Sequence, residues 1–212
     1  MPFRLLALAA VLLATAAFAD DSTAPPKGFT ALFNGKDLTG WQVYNGKAGS
    51  WGVDNGLLVV NGGGGGWLMT KQQYANFELR LEFRLPKGAN SGVALRAPLS
   101  GNPAFAGMEI QILDDPSYKD LKEWQHTGSV YAVVPASKVA TRPLGQWNQY
   151  HITCNGRRVR IELNGETVVD ADLDDHKAKA KSNPGILRAK GHIGLQEHGG
   201  RVEFRNLYVK EL

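Results

Sequence analysis

Within this 212-residue chain, one carboxylate, several amides and a few histidines fall at spacings that would converge on a single hollow. The stretch Gly107–Asp114 reads G-M-E-I-Q-I-L-D. Successive side chains of a strand point to opposite faces, so Met108, Ile110 and Ile112 face a core while Glu109 and Gln111 face the other way. The latter two then stand roughly 6.5 to 7 Å apart along the strand, a separation a sugar ring could bridge. A carboxylate rising from a rigid strand is well placed as a base. The same alternation directs Val93 and Leu95 inward and Asn90, Gly92, Ala94 and Arg96 outward, and likewise Ile193 and Leu195 inward and His192, Gly194, Gln196 and His198 outward. Gly and Ala between Asn90 and Arg96 would let a ligand approach the backbone, although a close neighbouring strand explains small residues equally well.

Presenting these side chains requires strands. Phe77–Leu85 alternates Phe77, Leu79, Leu81, Phe83 and Leu85 with Glu78, Arg80, Glu82 and Arg84, a strand with one solvated face. Phe29–Phe33, Trp41–Tyr44, Trp51–Val53, Leu57–Val60, Ser129–Val134, Trp147–Asn155, Val159–Leu163 and Glu166–Asp170 also read as strands. Asp54-Asn55-Gly56 and Asn164-Gly165 signal tight hairpins. The run Gly62–Gly66 lacks the Lys-Ser/Thr and helix of a phosphate loop and reads as a hairpin tip. Asp115–His126 is a polar loop, containing Trp124 and His126, long enough to carry function. Asp174–Lys190 reads as a surface loop, and a change of parity between Phe204 and Leu207 predicts a β-bulge near Arg205-Asn206. Many short strands with frequent turns imply an all-β antiparallel sandwich, best arranged as a jelly roll with one concave sheet.

Arg4, the apolar run Leu5–Phe18 and Ala17-Phe18-Ala19 read as an export signal cut after Ala19, which would release a periplasmic or secreted protein. Residues 20–27 form a polar lead-in with little to order it, and 28–212 the single domain. No later apolar stretch approaches a membrane span. The formal charge of +4 falls to +3 without Arg4, and its scattered cations form no nucleic-acid stripe. Cys154, the one cysteine, reads as a buried, inert thiol.

Six ordered blocks carry a family resemblance: G-F-T-A-L-F-N-G-K-D-L-T-G-W (28–41), N-S-G-V-A-L-R (90–96), G-M-E-I-Q-I-L-D (107–114), T-G-S-V-Y (127–131), W-N-Q-Y (147–150) and G-H-I-G-L-Q-E-H-G (191–199). Together they resemble the exported bacterial 3-keto-disaccharide hydrolases across nearly the whole chain after the signal. The resemblance implies a concanavalin A-like lectin/glucanase jelly roll acting on glycosides oxidised at C3, by 1,2-elimination and hydration of the resulting glycal. It leaves open a sugar 3-dehydrogenase upstream as the source of substrate. Such chemistry needs a base for the acidified C2 proton, a stabiliser for the enolate and an acid for the departing oxygen. Glu109 suits the first role and Arg96, a permanent cation, the second. His126 or His198 suits the third, since histidine titrates near neutrality. Asn90, Gln111 and Gln196 suit hydroxyl anchors, Tyr131 an anchor or acid, and Trp51 or Trp124 a stacking platform.

No cofactor is expected: His192 and His198 share a parity but stand six residues apart, so their spacing supports a divalent metal only weakly. Two other readings compete. One is a retaining laminarinase-type endo-β-glucanase, since Glu109, Gln111 and Asp114 partly match E-x-D-x-x-E. Gln111 replaces its central acid and Asp114 is a shorter last acid. The other is a non-catalytic carbohydrate-binding module, which needs a groove and aromatics but no base.

Overall fold

A computed structural model of the chain describes residues 24–63 and 65–212. The expected export signal and the start of the lead-in lie outside them. Among the described residues, thirteen strands form two antiparallel sheets. The first joins β1 (Thr30–Ala31), β3 (Trp51–Asp54), β4 (Leu57–Val60), β6 (Phe77–Arg84), β9 (Asn148–Asn155), β10 (Arg158–Leu163), β11 (Glu166–Asp172) and β13 (Val202–Glu211). Its order is β11-β10-β9-β6-β13-β4-β3, with β1 on the far half of β13. The second has the order β2-β5-β12-β7-β8, from β2 (Trp41–Tyr44), β5 (Gly66–Tyr74), β12 (Gly191–Glu197), β7 (Asn90–Ala97) and β8 (Met108–Leu113).

The inward parities of both sheets make one core. Phe77, Leu79, Leu81 and Phe83 of β6 meet Val93, Leu95, Ile110 and Ile112 from the facing sheet. Tyr150 crosses the core, its ring 5.0 Å from that of Phe83, and its hydroxyl donates to the Gln111 carbonyl at 2.6 Å. That bond fixes the backbone of the strand carrying Glu109 to the opposite sheet. Burial pushes the Cys154 thiol up to about 12, in keeping with an inert core residue.

The polar face of β6 is laced across strands by Arg84–Glu203, Arg205–Glu82 and Lys210–Glu78 pairs. Partly exposed pairs of this kind contribute little each, so the face is held mainly by what it covers. Both hairpin signals are borne out, with Asn55-Gly56 and Asn164-Gly165 at positive φ between paired strand ends. The bulge is also present: the β13/β6 register shifts between Arg205 and Tyr208, and Asn206 has φ 53°.

Other expectations are corrected. The expected hairpin tip at Gly62–Gly66 is not formed, because β4 and β5, the strands before and after it, belong to different sheets. A Cβ at Gly66, whose φ is 105°, would lie 2.3 Å from the Asn45 carbonyl oxygen. Ser129–Val134 forms only isolated bridges, through Val130 to Ile110 and to Val134, since it folds across the outer side of β8. The charged segment after β11 coils into 3-10 turns at Leu173–Lys181 and Pro184–Leu187. β1 is shorter than expected, at Thr30–Ala31.

Candidate active site

The β8 residues are buried on both faces. Its inward face meets the core. Its outward face is covered by a short helix α1 (Pro103–Ala106) and by the chain through Tyr131. Asn102 caps α1, its Oδ1 accepting from Ala104 N at 3.1 Å with Pro103 at the first helical position. Gln111 N donates to Ser129 O and Tyr131 N to Glu109 O, so segment 129–131 is tied to the outer edge of β8.

Between these pieces lies a hollow of ≈ 110 Å³ lined by Asn90, Asn102, Ala104, Phe105, Glu109, Gln111, Tyr131, Gln196 and His198. A larger hollow of ≈ 600 Å³ beside β13 and the turn after β1 has Lys36 and Arg205 in its wall but no carboxylate. Size alone would therefore select a place without a base.

Glu109 sits in the smaller hollow with 3% of its surface exposed. Its carboxyl group folds back over β7, where a Cβ on Gly92 would lie 2.1 Å from Oε1. The glycine thus makes the space the carboxyl fills. Burial raises the Glu109 pKa to about 8, partly offset by a hydrogen bond from the Gln196 side chain. Among the described residues lining the hollow it is the sole ionisable carboxyl group. The new Cβ of Gly92→Ala would also lie 2.8 Å from both Cδ and Cγ of Glu109, so it should expel the carboxyl group from its seat. We expect kcat to fall by roughly 10²-fold, as for a misplaced catalytic group. A kcat/KM-versus-pH profile should show the apparent pKa moving down toward that of a solvated carboxylate.

Beside Glu109, Asn90 Nδ2 donates to His198 Nδ1 at 3.3 Å, which leaves the other ring nitrogen to carry the N–H. Tyr131 is held by two edge-on ring contacts, to Trp124 at 4.9 Å and to Phe105 at 6.0 Å. The rings fix Tyr131 as part of an aromatic wall opposite the amides. Trp124 supports this wall through Tyr131 rather than lining the hollow itself.

The structure thus brings together Glu109, Asn90, Gln111, Gln196, His198 and Tyr131. It does not bring Arg96, His126 or Trp51 to them. Arg96 has φ 50° and sits where the β7/β12 register shifts, so its side chain leaves the face that strict alternation assigns it. Its guanidinium, 1% exposed, donates to the carbonyl oxygens of Ala75, Gly156 and Arg188 and to Asn76 Oδ1. It is a clamp between loops, not an enolate stabiliser. His126 Nδ1 is engaged by Asp115 Oδ2 at 3.0 Å in a loop away from the hollow. Trp51 is a core residue, 3% exposed.

His192 has Nδ1 on the Thr70 carbonyl and Nε2 on the Gln73 amide, so neither nitrogen is available to a metal. Among the described residues no group of three or more His, Cys, Asp or Glu side chains is arranged to hold one. Asp114 accepts from Gly88 N and from the Ser117 hydroxyl, fixing a turn. A retaining glycosidase needs two carboxyl groups about 5 to 5.5 Å apart, and the hollow supplies Glu109 alone.

Asn102, Ala104 and Phe105 were not expected here, since residues 97–107 carry no strand pattern. The Asn-Pro pair, an N-cap followed by proline at the first helical position, is the signal that marks α1.

A 3-keto-disaccharide hydrolase from Bacteroides thetaiotaomicron is 29% identical over 229 residues, covering 87% of this chain and 79% of that protein. A structure from Parabacteroides distasonis, assigned as a glycosyl hydrolase, superposes with a TM-score of 0.76 at 28% identity, covering 87% of this chain and 94% of the other. A family GH16 endo-beta-1,3(4)-glucanase has a TM-score of 0.53 at 17% identity, covering 89% and 94%, and shares the jelly-roll fold alone. Residues 28–210 match the 3-keto-alpha-glucoside-1,2-lyase-like domain, and the chain belongs to that family.

Proposed function

We propose that this protein is an exported, carbohydrate-active enzyme that cleaves 3-keto-glycosides by 1,2-elimination followed by hydration, with Glu109 as the base. The observation that carries this reading is a carboxyl group buried in a hollow and raised to about 8. Such a group costs stability at neutral pH, and a binding module has no use for it. A ketone at C3 makes the C2 hydrogen acidic, and a base whose pKa lies near the working pH transfers that proton effectively.

In the first step the Glu109 carboxylate takes the C2 proton and the electron pair moves onto the C3 oxygen as an enolate. With Arg96 occupied elsewhere, the donors left for that oxygen are the Tyr131 hydroxyl, the Asn102 and Gln111 amides and the ring N–H of His198. Collapse of the enolate restores the ketone, forms the C1–C2 double bond and expels the aglycone oxygen, which takes a proton from Tyr131 or His198. Water then adds its oxygen to C1 and gives a proton to the Tyr131 or His198 that protonated the aglycone, which restores that group. Glu109, its proton exchanged with solvent at the glycal stage, then protonates C2, completing a net hydrolysis. A sugar 3-dehydrogenase acting earlier would supply the ketone.

The test compares a plain glucoside with its 3-keto derivative on purified protein. Cleavage of the keto sugar with the plain glucoside untouched supports the reading. Equal cleavage of both would replace it with ordinary glycoside hydrolysis.

A further inference from the structure

Two residues that line the hollow each carry a buried side-chain oxygen without a hydrogen-bond partner: Asn90 Oδ1 and Gln196 Oε1. The other end of each amide is committed, Asn90 Nδ2 to His198 and the Gln196 side chain to the Glu109 carboxyl group. A buried acceptor left without a donor is costly and uncommon, and one that lines a cavity asks for a donor from the ligand. The two residues lie on adjacent antiparallel strands, where the Ser91 hydroxyl of β7 donates to the Gln196 carbonyl of β12 at 2.8 Å. Leu195 pairs with Val93, which places Gln196 next to Gly92, the residue over which the Glu109 carboxyl group lies. The two unfilled acceptors therefore flank the base.

Resting on the keto-glycoside reading, we infer that Asn90 and Gln196 determine specificity: their oxygens accept from two free hydroxyls of the sugar ring whose C2 proton Glu109 removes. A ring lacking a hydroxyl at either position leaves a buried oxygen unfilled. A ring substituted there has no hydrogen to donate, and little room, since ligand pockets for larger molecules run to roughly 300–1,000 Å³ against ≈ 110 Å³ here. Cleavage is thereby confined to a ring whose two recognised hydroxyls are unlinked, the terminal residue of a saccharide rather than one within a chain joined through those positions.

The test is a panel of a 3-keto-glucoside and its 2-deoxy, 4-deoxy and 6-deoxy forms, all of which keep the ketone and a removable C2 hydrogen. We expect two of the three to lose roughly ten- to a hundredfold in kcat/KM, the penalty for a buried polar group left unpaired. Asn90→Ala should abolish the discrimination at one of those positions and leave the other. The panel on the unaltered protein decides the matter even if that variant fails to fold. If the parent is cut and all three deoxy forms are cut within about twofold of it, the hydroxyl assignment is wrong while the elimination reading survives. If the parent itself is not cut, the elimination reading fails. Side-chain amide NMR with glucose and the deoxyglucoses then decides the assignment separately. Shifts at Asn90 and Gln196 that disappear with two of the analogues support it, and equal or absent shifts overturn it.

Discussion

Glu109→Gln should lower kcat on a 3-keto-glucoside by roughly 10²- to 10⁴-fold, the usual contribution of a positioned base. The amide fits the same space over Gly92 and can still meet Gln196, so the loss should fall on kcat more than on KM. A binding module would keep its affinity and show no such effect. In the unaltered protein the reactive form is the carboxylate, and with a pKa of about 8 only roughly a tenth of it is ionised at pH 7. The kcat/KM profile should therefore rise with pH through about 8 and level off above it. Steady-state rates from pH 5.5 to 9.5 check both statements. A profile flat across that range, or a Gln variant retaining most of its turnover, would remove Glu109 from the mechanism.

The same substitution should stabilise the fold in alkaline solution. In the unfolded chain the Glu109 carboxyl group has its ordinary value of 4.5, and in the native protein it is raised to about 8. Below the first value both states hold the proton and the stability is fully present. Between the two values the unfolded chain releases the proton while the native one keeps it, so stability falls by about 1.4 kcal/mol per pH unit. Above the native value the loss levels off, at a total of up to about 5 kcal/mol. Glutamine does not titrate. Glu109→Gln should accordingly be close to the parent near pH 4.5 and more stable by several kcal/mol at pH 9, a Tm difference on the order of 10 °C for a chain of this size. Urea unfolding of both proteins at the two pH values measures it. Parallel pH dependences would mean that the carboxyl group is solvated in the native state.

Sequence pattern reached the sandwich because its evidence is local. Alternation along β6 and β8 and the two Asn-Gly hairpins depend only on neighbours in the chain. Glu109, Gln111 and Gln196 were legible for the same reason, as polar groups at parities opposite to a core-facing set. Arg96 was misplaced because parity assumes an unbroken strand, and a residue at φ 50° in a bulge does not obey it. His126 was misplaced because its partner, Asp115, is eleven residues away and holds it in the loop.

The aromatic wall was only half visible. Tyr131 was recognised, but Phe105 rides on a four-residue helix too short to show a period. The role of Gly92 could not be read at all, since a small residue in a strand signals close approach without saying what approaches. The buried state of Glu109 also escaped the pattern. It arises from the covering by α1 and the chain at Tyr131, a long-range packing that alternation along β8 does not encode.

The central claim is that Glu109 removes the C2 hydrogen of a keto sugar, and proton NMR of the reaction in deuterated water tests it most directly. Solvent deuterium should enter the product at C2 at the rate of turnover, faster than in an enzyme-free control, and Glu109→Gln should abolish it. Product that retains its original C2 hydrogen through enzymatic cleavage would contradict the account.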